Sequence, residues 1–69
     1  MSQLDAILKH LKEYGSITPY EALQEYGCFR LGARIWDLRD LGYEINTIIE
    51  SSRNRYGHVV TYARYQLKG

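Results

Sequence analysis

Arg53, Arg55 and His58 fall within one short polar segment, interleaved with Asn54 and Tyr56. Guanidinium and imidazole groups spaced in this way can neutralise phosphates and release their counterions. Such contacts give affinity without sequence information. The bland alternative is a solvated hairpin tip kept soluble by its charge. A second pair, Arg30 and Arg34, encloses Gly32 and Ala33. Arginine can bond guanine O6 and N7 bidentately, and small neighbours let a helix sit deep against base edges. Arg34 has an alternative partner in Asp37, three residues on, as a helix-surface ion pair.

Trp36, Asp37 and Asp40 point the other way. Carboxylates near a reading face repel phosphates unless each accepts from a cytosine amino group or an arginine. Trp36 fits three readings. It can pack at the core edge or on a hairpin, anchor a protein interface, where tryptophan is enriched, or touch nucleic acid. These three residues are therefore the candidate protein interface. Arg30, Ala33, Arg34, Arg53, Arg55 and His58 are the candidate DNA contacts.

Catalytic chemistry is not expected. His10 and His58 lack local ligand spacing for zinc, so neither a metal nor a cofactor is anticipated. Cys28 reads as a small buried residue rather than a nucleophile. No glycine-rich phosphate loop is present. The seven tyrosines do not form a stacking platform, because Tyr62 and Tyr65 lie on opposite faces of one strand. Tyr20, Tyr26 and Tyr43 are expected to fill the core with their hydroxyls at its edge.

The net charge of +1 conceals an asymmetry. Residues 1–50 carry five basic and eight acidic side chains, a balance of −3. Residues 51–69 carry Arg53, Arg55, Arg64 and Lys68 with no acid, a balance of +4. The positive end predicts an anionic partner. The 69 residues allow one domain, and 45% hydrophobic content predicts that it folds. A lone cysteine and the lack of a signal-peptide pattern point to a reducing compartment, the cytoplasm. No apolar run reaches the roughly 18 residues of a membrane span.

The elements that must position these side chains are legible. Leu4, Ile7, Leu8 and Leu11 make one apolar helical face over about 3–14, with Ser2 and Asp5 as a capping-box variant and Gly15 at its end. Thr18, Pro19 and Glu21 start a second helix, with Ala22, Leu23 and Tyr26 as its apolar face, and Gly27 stops it. A tight turn leads into a third, about 29–41, whose Leu31, Ile35 and Leu38 face the core and which Gly42 closes. Two β-rich runs follow, 43–50 and 59–67, joined by a polar connection. Ile17 adds a very short strand. Three helices followed by a β-hairpin wing is an α+β layout, that of a winged helix-turn-helix, filling a single domain over 1–69.

Ile17-Thr-Pro-x-Glu-Ala-Leu, then Tyr26-Gly-Cys-x-Arg-Leu-x-x-Arg-Ile-x-x-Leu-Arg-x-x-Gly-Tyr-x-Ile45, and Tyr62-Ala-Arg-Tyr-x-Leu67 resemble the small helix-turn-helix domains of phages and prophages. The resemblance covers about 15–67. It implies a winged-helix fold that binds double-stranded DNA, with Arg30 and Arg34 as the functional matches and Leu31, Ile35, Leu38 and Gly42 as structural ones. A transcriptional regulator or a recombination accessory factor in a bacterial host cell is the expected role. The alternative is a protein-binding module on the same fold, for example a phage inhibitor of a host defence protein, contacting a host or phage protein through Trp36 and the acidic side of the third helix. A monomer or weak homodimer is expected, since little surface remains for a large interface.

Overall fold

The computed structural model describes residues 2–68. Helix α1 spans Gln3–Tyr14, strand β1 Ser16–Ile17, helix α2 Pro19–Tyr26, helix α3 Leu31–Asp40, strand β2 Ile45–Arg53 and strand β3 Val59–Leu67. The strands form one antiparallel sheet in the order β1-β3-β2. No helix among the described residues is long and apolar enough to cross a membrane.

Each helix boundary has a local cause. Ser2 Oγ accepts from the Asp5 N–H at 3.1 Å and caps α1. The Asp5 carboxylate, one methylene shorter than glutamate, makes no return bond among the described residues, so half of the expected box forms. At α2 the box is complete. Thr18 Oγ1 accepts from the Glu21 N–H at 3.2 Å, and the Thr18 N–H donates to Glu21 Oε1 at 2.9 Å. Gly15 (φ 85°) and Gly27 (φ 64°) take the left-handed conformation that ends α1 and α2, where a side chain would be strained.

The core is small and concentrated. Ile7, Leu11, Ile17, Ala22, Cys28, Leu31, Ile35, Leu38 and Ile45 are buried in one cluster, with Leu4, Leu8, Tyr26, Tyr43, Tyr65 and Leu67 packed on it. Cys28 is thus the small apolar residue of the turn. His10 is buried as well, and its Nδ1 pairs with the Tyr26 hydroxyl at 2.6 Å. Burial and then the nearby Glu25 push the Tyr26 pKa up, so this hydroxyl stays protonated near neutral pH.

Four expectations are corrected. Helix α3 begins at Leu31, two residues late, because Arg30 adopts a non-helical conformation (φ −120°, ψ 60°) and its carbonyl accepts the first helical bonds, from Ala33 and Arg34. Strand β2 runs to Arg53 rather than Glu50, since polar Ser51, Ser52 and Arg53 stay in register with Thr61, Val60 and Val59. Leu23, placed on the apolar face of α2, is exposed, and Ala22 is that helix's buried residue. Tyr20 is not a core residue. It is 71% exposed, standing in the first turn of α2 on the side away from Ala22.

Thr18→Ala removes the hydroxyl that satisfies the Glu21 N–H and is expected to lower stability by about 0.5–2 kcal/mol, read as a shift in the denaturant midpoint.

Candidate nucleic-acid interface

The wing carries its cations at its far end because its loop is built by one asparagine. Asn54 Oδ1 accepts from the N–H groups of Tyr56 (2.9 Å) and His58 (3.1 Å). The Asn54 N–H donates to the His58 carbonyl at 2.9 Å, and the Gly57 N–H donates to the Asn54 carbonyl at 3.0 Å. This closes a tight loop and leaves Arg55 at its apex. Arg53, the last residue of β2, reaches across and donates from Nη1 to the Gly57 carbonyl at 2.8 Å. Arg53, Arg55 and His58 are therefore together, all exposed, on a loop whose backbone groups bond to one another.

The other two cations of the basic end are already engaged. Arg64 Nε donates to Glu50 Oε1 at 2.9 Å, and its Nη1 donates to Ser16 Oγ at 3.0 Å and lies 3.7 Å from Glu21 Oε1. The hydrogen bond to Glu50 holds the Arg64 pKa above its ordinary value. Arg64 thus ties β3 to β2, to β1 and to the capping box of α2. Lys68 lies 3.6 Å from Glu44. The +4 balance of the final segment resolves into a compensated root and an uncompensated tip.

Helix α3 is tied to the wing by Arg39. Its Nε and Nη2 both donate to the Ile45 carbonyl, at 3.1 and 2.6 Å, and Nη2 also reaches Thr47 Oγ1 at 3.0 Å. Gly32, one helical flank with Arg39, sits under the tip of Tyr65, where an added Cβ would lie 3.7 Å from its hydroxyl. That contact is ordinary, so Gly32 is not required by crowding. Neither Arg39 nor Arg64 stood out in the sequence. Arg39 lies on the flank of α3 that the following strand must cross, and that placement was the available signal.

The candidate reading residues of α3 separate. Arg30 is exposed and makes no ion pair among the described residues. Arg34 is engaged: its Nη2 is 3.0 Å from Asp37 Oδ2, and its Nε is buried without a partner. Ala33, Asp37 and Asp40 are exposed. Trp36 is 71% exposed, so it does not pack on the core edge or the wing, and Phe29 in the preceding turn is 85% exposed. The outward ridge of α3 therefore offers apolar and acidic groups, with Arg30 alone as a free cation at its start.

No group of three or more His, Cys, Asp or Glu side chains among the described residues could hold a metal ion. A family model described as a winged helix-turn-helix domain matches residues 2–69, and the chain belongs to that family. No curated protein and no solved structure matches the chain.

Arg39→Ala frees the Ile45 carbonyl and Thr47 and is expected to cost about 1 kcal/mol. Amide exchange should speed up at the root of β2 while α1 stays protected, a pattern that uniform loosening of the whole domain would contradict.

Proposed function

We propose that this winged helix-turn-helix protein binds double-stranded DNA, chiefly through phosphates, with the wing tip as the main contact and Arg30 as a second one at the start of α3. The observation that carries the reading is the wing tip itself. Within a winged helix-turn-helix fold, Arg53, Arg55 and His58 share a hydrogen-bonded loop at the end of a projecting hairpin, with no acidic side chain from Ser51 onward to oppose them. Cations in that position lie against the sugar-phosphate backbone and release counterions.

Sequence discrimination is modest on this account. Arg34 is held by Asp37, Arg39 by the wing root, and Asp40 adds a negative charge to the ridge. Arg30 remains for bidentate contact with a guanine. A phage or prophage regulator of transcription, or an accessory factor in recombination, is the role we propose. Binding led by phosphates fits the accessory role somewhat better, since it does not need a unique operator.

A second reading rests on Trp36. An exposed tryptophan on a ridge with two carboxylates is the composition of a protein anchor rather than of a phosphate surface. In that case the partner is a host or phage protein, and an inhibitor of a host defence protein is one form of it.

The two readings part in a gel-shift titration on random-sequence duplexes. Arg53→Ala with Arg55→Ala is expected to weaken all sequences alike and to flatten the salt slope by about 1.8. Arg30→Ala should cost about 1–3 kcal/mol and relax preference at one base pair. Trp36→Ala should leave duplex affinity within about twofold. A loss of affinity on Trp36→Ala equal to that of the wing double variant contradicts the assignment of the wing as the main contact.

A further inference from the structure

Strand β2 has β3 on one side and no strand on the other among the described residues. The direction of its free backbone groups follows from the register. The pairing Ile45↔Leu67 through Arg53↔Val59 is continuous, with no bulge. Just beyond its two ends, the Lys68 N–H donates to the Glu44 carbonyl and the Asn54 N–H to the His58 carbonyl. Opposed residues in an antiparallel ladder alternate between exchanging hydrogen bonds and not doing so. The even-numbered residues of β2 therefore bond to β3, and Ile45, Thr47, Ile49, Ser51 and Arg53 turn their N–H and C=O groups outward. Arg39 donating to the Ile45 carbonyl agrees with this parity and closes the root of the edge. From Thr47 to Ser51 no backbone group among the described residues bonds to its outward side.

Natural edge strands are blunted by lysine, proline, bulges or short length. Strand β2 has nine residues, no lysine, no proline and no bulge. Its one acid, Glu50, is engaged by Arg64, and its one cation, Arg53, lies at the end.

We propose that two copies of this chain pair through β2, antiparallel about a twofold axis at Ile49, to make one continuous sheet across both molecules. The axis must pass through an outward residue pair, which leaves Thr47, Ile49 and Ser51 as possible centres. An axis at Thr47 sets Glu50 opposite Glu44 of the second copy, a like-charge clash. An axis at Ser51 leaves only 49–53 overlapping. The axis at Ile49 uses the whole of the open part, Thr47 to Ser51. It puts Ile49 against Ile49 and Thr47 against Ser51, and beyond these bonds it brings Arg53 toward the exposed Glu44 of the second copy. Ile49 is 69% exposed in the single chain and gains a cover. The pairing needs little surface, which suits a domain with a core this small. It goes beyond the DNA reading and does not rest on it: the bonds are backbone bonds, and Arg30 and Arg55 stay free.

The test is made without DNA. Sedimentation of the wild-type chain up to about 1 mM should show a concentration-dependent dimer. Ile49→Pro removes only an outward N–H, a position where an edge strand tolerates proline, and should be monomeric at every concentration with an unchanged circular dichroism spectrum. Cross-linking gives a second, independent readout. Ile49→Cys places two thiols across the axis at a Cα separation of about 5.5 Å, within disulfide range. Under oxidised glutathione it should form a covalent dimer at least about tenfold faster than Thr61→Cys, which centres the free part of the other edge of the wing. Native Cys28 is 1% exposed and does not compete. A wild type monomeric throughout, a dimer that survives Ile49→Pro, or equal cross-linking at both sites overturns the proposal.

Discussion

One buried cluster organises this molecule, and where it stops decides what the rest can do. The fully buried apolar residues all lie between Ile7 and Ile45. They pin three helices and the root of the sheet. Past the root of the sheet the hairpin projects, and from Ser51 through Thr61 every residue is exposed. A short chain with one core cannot bury both a bundle and a hairpin of two nine-residue strands. The protrusion is held instead by backbone register and by two guanidinium groups at its base. The longest dimension, 39 Å against 22 and 20 Å, reflects this.

Those two guanidinium groups also settle the electrostatics. Arg39 and Arg64 are structural cations, one fastening α3 to β2 and the other fastening β3 to β2, β1 and the cap of α2. Arg34 and Lys68 are matched by Asp37 and Glu44. Among the described residues, the arginines left without a carboxylate partner are Arg39, which the Ile45 carbonyl and Thr47 hold, Arg30, at the start of α3, and Arg53 and Arg55, at the wing tip. Charge available to a ligand is therefore much more localised than the sequence balance conveys. It sits where a projecting loop can reach a polyanion first.

The sequence was most informative where a local rule decides the outcome. Thr18, Pro19 and Glu21 mark the start of α2 because capping is settled within one turn. Gly15 and Gly27 mark helix ends because few other residues accept a positive φ. The Arg34–Asp37 pair was legible from spacing alone. The misread features depend on the whole fold. Ser51, Ser52 and Arg53 look like a loop, yet they continue the strand because a hairpin solvated on both faces needs no apolar alternation. Tyr20 looked like core material, but its neighbour Ala22 takes the buried side of α2. The roles of Arg39 and Arg64 were hidden because their partners lie on other elements, and in the case of Arg64 and Ser16 at the opposite end of the chain.

The central claim is that the uncompensated arginines of the wing tip bind duplex DNA through its phosphates, with Arg30 at the start of α3 left for a base. The most direct measurement is the affinity of the wild-type chain for random-sequence duplex across a salt series. Two phosphate contacts, from Arg53 and Arg55, predict that log K falls linearly with log salt with a slope of about −1.8. No duplex binding at low salt, or binding that salt does not weaken, would contradict the account.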